Sequence, residues 1–182
     1  MNEPTIATRN DKTKHLLIIT HAPSNNTQKL TETLVNAANS SATECSKTDG
    51  GSDYVLIITQ RAALKANSDD VLNADAIILM TPENLGYLSG GMKDFFDRIY
   101  YPCLEFKQGL PIAAIIRAGQ DGTGAKRALE TITTGLKWRW VQAPIICRGP
   151  WQESFVFQAE ELASAMALAL SLINISEPTI SY

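Results

Sequence analysis

Cysteine is scarce in this chain and histidine scarcer. Cys45, Cys103 and Cys147 show no C-x-x-C spacing, and neither His15 nor His21 has a second His or Cys at metal-ligand spacing. That argues against a disulfide framework and a metal centre. Scattered thiols in a chain of 182 residues fit a reducing compartment, so a cytoplasmic location is expected. No Lys/Arg cluster exceeds the pair Lys126-Arg127, and the formal net charge is only −3. Nucleic acid is therefore not expected as a partner, because a phosphate backbone demands many cations on one face. Long apolar runs are missing too. The richest stretch, Leu162 to Ile175, is broken by Ser164, Ser171 and Asn174 and is too short for ~30 Å of hydrocarbon, so no membrane partner is expected. The segment Met1 to Lys14 is polar and reads as no secretory signal.

What the chain does contain is regular. At 45% hydrophobic and 19% charged it matches ordinary globular proteins, and its length suits a single domain over 1–182 with loosely held ends at 1–14 and 177–182. Four continuous apolar runs read as strands covered on both faces: His15–Thr20, Tyr54–Thr59, Asp75–Met80 and Pro111–Ile116. Pro144–Cys147 is a weaker fifth. Helical periodicity appears over Thr27–Ala38, Gly91–Tyr100, Thr123–Leu136 and Phe155–Leu172. A short helix is expected near Ser68–Asn73, and a loop over Ser40–Ser52. Strand–helix alternation of this kind predicts an α/β three-layer sandwich. Five parallel strands in the flavodoxin-like order 2-1-3-4-5 would carry helices on both faces.

In such a sheet ligands bind beyond the carboxyl ends of the strands, at the switch point between the first and third. The first loop there reads Thr20-His21-Ala22-Pro23-Ser24-Asn25-Asn26-Thr27-Gln28 and leads straight into a helix. Its hydroxyls and amides suit two tasks, capping the helix and presenting neutral donors to an anion such as a phosphate monoester. The loop has no Gly, so it is no dinucleotide fingerprint, and no Cys–Arg pair of a small tyrosine phosphatase.

The loop after the third strand, Thr81 to Arg98, is the most informative stretch. It resembles the flavodoxin-like FMN proteins, and within them the NAD(P)H-dependent FMN reductase group, whose pattern here is T-P-x-x-x-G-x-x-S-G-x-x-K-x-F-x-D-R. Thr81, Pro82, Gly86, Ser89, Gly90, Lys93, Phe95 or Phe96, Asp97 and Arg98 meet it, with an offset of one residue allowed at the Phe. The resemblance covers about residues 15–150. It implies that Ser24, Asn25, Asn26 and Thr27 hold the FMN phosphate, with His21 beside them. It also implies that Thr81, Pro82, Glu83, Asn84, Leu85, Gly86 and Tyr87 lie along the ring. Two departures stand out: the first loop lacks the Arg often found beside the serines, and Glu83 would set a negative charge near the ring.

The loop after the fourth strand resembles the family's third flavin loop. Ala118, Gly119, Gln120, Gly122 and Thr123 would offer donors to the pyrimidine side of the ring, with turn formation and helix capping as the other reading of Gln120 and Thr123. It is no Walker A, since Arg127 stands where Ser or Thr is needed. Arg61, Arg98 and Arg117 are candidates for a nucleotide phosphate. Trp138, Trp140 and Trp151 read as packing or subunit contact. The expected function is an FMN-binding oxidoreductase with NAD(P)H as co-substrate, passing electrons to a quinone, free flavin or other small acceptor, as a homodimer or homotetramer. The alternative is a flavodoxin-type electron carrier that docks on protein partners without NAD(P)H activity.

Overall fold

The computed structural model describes residues 12–45 and 55–172. Its centre is β3 (Ala76–Asn84), flanked in parallel by β1 (Thr13–Thr20) and β5 (Pro111–Ala118). β2 (Val55–Ala62) pairs with β1 on the outer side, in register Thr13 to Val55 through Thr20 to Ala62. The fifth position, beside β5, is shared by two short strands. β6 (Arg139–Trp140) pairs with the start of β5 and β7 (Ile145–Arg148) with its end. The order is therefore the expected one, with the outer strand interrupted. β4 (Tyr87–Leu88) is an antiparallel addition to the end of β3 that the sequence reading did not include.

Alternation along the strands divides the core in two. Leu16, Ile18, Ile78, Met80, Ala113 and Ile115 face α1 (Asn25–Cys45) and α5 (Ser154–Leu172), meeting Leu30, Leu34, Ala163 and Met166. Leu17, Ile19, Ile77, Leu79, Ile112 and Ile116 face the other layer. That layer holds α2 (Ser68–Leu72), α3 (Gly90–Cys103) and α4 (Thr123–Gly135), which contribute Val71, Met92, Phe95, Phe96, Ile99 and Leu129. Period two in the strands and 3.6 in the helices supply both interfaces.

Three local expectations are corrected. The loop expected over Ser40–Ser52 is helical as far as Cys45, with Ser41 buried, and the remainder, 46–52, falls outside the described residues, as does Tyr54. Of the ends expected to be loosely held, 1–11 and 177–182 likewise fall outside the described residues. Thr13 and Lys14 belong to β1, because the β2 register continues to Val55 and Leu56. β2 is not covered on both faces: Val55 is 65% and Ile57 39% exposed, while Leu56 and Ile58 pack under α1 and α5. The reason is geometric. α2 has five residues, too few to cover the outer half of its face of the sheet.

Burial holds Cys103 and Cys147 as thiols, both pushed up to about 11, which suits packing and not redox chemistry. The two neighbouring environments also make a paired prediction. Ile78→Ala, in the buried centre of β3, should cost about 2–5 kcal/mol by urea denaturation. Ile57→Ala, on the uncovered face, should cost under about 1 kcal/mol.

Candidate functional site

The carboxyl ends of β1, β3 and β5 bring three loops together. His21 N–H donates to the Met80 carbonyl at 2.9 Å, which fixes the start of the first loop against β3. At Ser24 the chain turns into α1. Ser24 N–H donates to Thr27 Oγ1 at 3.0 Å, Thr27 N–H to Ser24 Oγ at 3.4 Å, and the Thr27 hydroxyl to the Ser24 carbonyl at 2.8 Å. This is a reciprocal cap with Thr in the usual Glu position. Thr27 is buried, so its side chain serves the cap. What remains outward are the first N–H groups of the helix, at Asn25 and Asn26, and their amide side chains. The first turn holds no acidic residue. A set of neutral donors at the positive end of a 21-residue helix has the chemistry of a phosphate monoester site.

The second loop is organised by a buried chain of polar groups. Thr81 and Ser89, both 0% exposed, share a hydroxyl contact of 2.9 Å. The Thr81 hydroxyl donates to the Pro82 carbonyl at 3.1 Å, and Ser89 Oγ lies 2.8 Å from His21 Nδ1. Ser89 also caps α3, accepting from Met92 N–H at 3.4 Å. One proton arrangement satisfies every member: His21 Nδ1–H to Ser89, Ser89 to Thr81, Thr81 to Pro82. Burial lowers the His21 pKa below its ordinary 6.5, favouring the neutral ring. The ring lies so close to Gly91 that a Cβ there would come within 2.7 Å of it. His21 thus belongs to a structural joint between the first and second loops.

Beyond Pro82 the chain forms a two-residue hairpin, pairing Asn84 with Tyr87 and Glu83 with Leu88. Both turn residues have positive φ, 53° at Leu85 and 72° at Gly86, which is the type I′ geometry that suits strand twist. A Leu in that conformation is strained by roughly 1–2 kcal/mol. Its side chain is also fully exposed, and Tyr87 is half-exposed. The tip is therefore apolar, strained and uncovered.

The second and third loops are locked to each other. Glu83 accepts from Gln120 N–H at 3.1 Å and from Gly122 N–H at 3.0 Å, one oxygen each. Two of the donors expected to serve the ring's pyrimidine side are held by this carboxylate. The Gly86 carbonyl lies where a Cβ on Gly124 would be, 1.8 Å away, so only glycine fits at 124. Thr123 N–H is taken by Asp121 Oδ1 at 2.8 Å; Gly119 and Gln120 are exposed, and Ala118 is buried.

The candidate cations prove to be engaged within the fold. Arg117 donates to the carbonyls of Ala118, Cys147 and Gly149. Arg98 pairs with Asp94 and pins the carbonyls of Ala63 and Ala66. Arg61 pairs with Asp70 at 3.1 Å. Trp138 packs on Phe96, Trp140 Nε1 donates to Thr133 at 3.0 Å, and Trp151 packs on Phe155, as the packing reading expects.

A feature absent from the sequence reading lies beside the first loop: a cavity of about 350 Å³ between the ends of β1 and β2 and the first turns of α1. Its one available signal was Gln60, a polar residue that breaks the apolar alternation on the face of β2 shared by Leu56 and Ile58.

The family profile described as NADPH-dependent FMN reductase matches residues 16–148. The chain belongs to that family. Membership makes it a flavin-binding oxidoreductase by descent, with FMN as cofactor and NAD(P)H as reductant. Among curated protein sequences none matches significantly. Solved structures support the flavodoxin-like fold. A flavodoxin from the domain Archaea is 14% identical, with TM-score 0.68, over 86% of this chain and 98% of its own. A WrbA-like flavodoxin from Agrobacterium tumefaciens is 15% identical, with TM-score 0.66, over 86% and 97%. The rubredoxin oxygen:oxidoreductase of Desulfovibrio gigas is 13% identical, with TM-score 0.62, over 87% of this chain and 36% of that one. Among the described residues no helix is long and apolar enough to cross a membrane, and no group of His, Cys, Asp and Glu could hold a metal ion.

Two predictions follow from the loop contacts. Glu83→Ala removes both acceptors, so amide hydrogen exchange at Gln120 and Gly122 should accelerate at least about tenfold, given roughly 1.5–3 kcal/mol for charged hydrogen bonds. For His21, the folded pKa is depressed, so the unfolded chain binds more protons as pH falls through 6.5. Its contribution to stability is complete above that pH and is lost below it. His21→Gln should flatten the slope of urea stability against pH between about 6.5 and 5.

Proposed function

We propose that the chain is an FMN-dependent NAD(P)H oxidoreductase that passes electrons to a small acceptor such as a quinone or free flavin. The observation that carries the reading is the neutral donor cradle at the start of α1, in a chain of this family. In this reading the N–H groups and amides of Asn25 and Asn26, with the Ser24 hydroxyl, hold the FMN phosphate. Thr27 acts through the cap. Pro82, Asn84, Leu85, Gly86 and Tyr87 present the face on which the ring lies, and the exposed apolar Leu85 and Tyr87 are the surface it would cover.

Bound FMN supplies the redox chemistry, accepting hydride from the nicotinamide. The residues supply orientation and charge. Glu83 does so indirectly: its carboxylate is satisfied by two N–H groups of the third loop, so it acts as a clamp and not as a bare charge beside the ring. Donors left for the pyrimidine edge are those of Gly119 and the Gln120 side chain, both exposed. His21, tied to Ser89, holds the first and second loops in register. A homodimer or homotetramer belongs to the same reading, with exposed Tyr101 of α3 as a candidate contact.

The electron-carrier alternative shares every one of these residues and is separated by kinetics. The chain saturated with FMN should bleach at the flavin's visible maximum rapidly under anaerobic NADH or NADPH. Reduction by dithionite alone would identify a carrier, and failure to retain FMN would refute the cofactor assignment.

A further inference from the structure

α1 and α5 both begin at the carboxyl end of the sheet, after β1 and β7, and share one layer of the fold. The start of α1 therefore has two flanks. Gln28, Thr31 and Glu32 turn to the cavity beside β2, and none of Ser24 to Thr27 lines it. That flank carries a carboxylate and no Lys or Arg. Lys29, the one basic residue of α1, turns the other way, to the segment before α5. Its ammonium meets both carboxylate oxygens of Glu153 at 3.3 Å and lies 5.1 Å from the centre of the Trp151 ring. Trp151 Nε1 donates to the same carboxylate at 2.9 Å. The arrangement is anchored below. Trp151 stands edge-on to buried Phe155 at 5.7 Å, Arg117 lies 5.6 Å from the Phe155 ring, and Arg117 also holds the Gly149 carbonyl at 2.6 Å. A pair as exposed as Lys29 and Glu153, 49% and 77% at the side chains, adds little stability. What these contacts give the ammonium is direction.

We infer that Lys29 is the cation that meets the FMN phosphate in this chain, standing in for the Arg that the first loop lacks, with Trp151 and Glu153 as its positioning residues. The inference rests on the reading that the start of α1 holds that phosphate. Lys29 follows Asn25 by four residues and Asn26 by three, so the three share a helix face. Helical side chains lean toward the N-terminus, which carries the ammonium over the turn whose N–H groups point outward. An ammonium has three donors; the two Glu153 oxygens take two and leave one. Glu153 is itself met by Lys29 and by the Trp151 N–H, so its charge opposes an anion less than a bare carboxylate would. The other candidate cations are engaged elsewhere: Arg61 with Asp70, Arg98 and Arg117 with backbone carbonyls.

The test titrates the full chain with FMN and with riboflavin, which has the same ring and no phosphate, followed by flavin fluorescence. FMN should bind the more tightly. Lys29→Gln, at an exposed position, should weaken FMN at least about tenfold and leave riboflavin within about twofold. Lys29→Arg keeps the charge and should retain most of the FMN affinity. Trp151→Leu should weaken FMN about threefold or more, with riboflavin unchanged, and add nothing further to Lys29→Gln, as expected of a residue that acts through the lysine. Equal losses for both flavins in Lys29→Gln, or no loss for FMN, overturn the inference and leave the phosphate reading standing. Additive losses from Lys29→Gln and Trp151→Leu overturn the positioning role. FMN bound no more tightly than riboflavin by the unaltered chain overturns the phosphate reading, and this inference with it.

Discussion

β3 enters the sheet at Ala76 and meets no solvent until Glu83. It lies between two parallel neighbours and two helical layers, so its side chains have no water to turn to. The first polar side chain along it, Thr81, must find a partner inside the protein. It finds Ser89, and Ser89 finds His21. That requirement brings the chain back after eight residues, which the β3–β4 hairpin achieves. It also places the start of α3, since Ser89 is the helix cap. The position of the second loop is thus a consequence of burying the central strand.

Much of this was legible. The apolar runs and helical periods locate the strands and helices because each element buries a continuous face, and burial is what residue type reports; the strand order was expected from the number of strands and the fold class that number fits. Pairing geometry is less accessible. β4 has two residues, and its turn has Leu where Asn is the usual signal, so nothing in Leu85-Gly86 announces a hairpin. The outer strand is split where residues 141–144 stand opposite only 113 and 114 of β5, a stretch in which Pro144 brings no N–H to the ladder, and the Trp-rich approach to that break reads as helix end or strand alike. The uncovered face of β2 was hidden for another reason: Val55 and Ile57 have the composition of buried residues, and only the shortness of α2 leaves them bare.

The candidate site was legible by place more than by role. All three loops meet at the carboxyl end, as the switch-point rule requires. Within them, several residues of the recognisable pattern serve the fold. Lys93 and Asp97 pair with each other at 2.6 Å across one turn, and Thr81 and Ser89 build the joint with His21, helped by Gly91, which is not one of the pattern's fixed positions. Glu83 shows why a residue's charge cannot be assigned an effect from sequence position. Read alone, it opposes negative charge nearby; turned to two N–H groups, its own charge is largely met, and what it contributes is rigidity.

α3 connects these observations. Its first residue follows the cap that binds His21, its second is the glycine that admits the His21 ring, and two turns later Arg98 holds the loop after β2. A helix is rigid over three turns, so the first loop, the hairpin and the 63–66 loop are referred to a single body. Arg98 can do this because a guanidinium offers donors in a planar fork, enough to meet Asp94 and two carbonyls at once. A lysine would supply the charge without that geometry. The motif's terminal Arg is therefore understood without any ligand, as the residue that carries the order of the central strand out to the edge of the sheet.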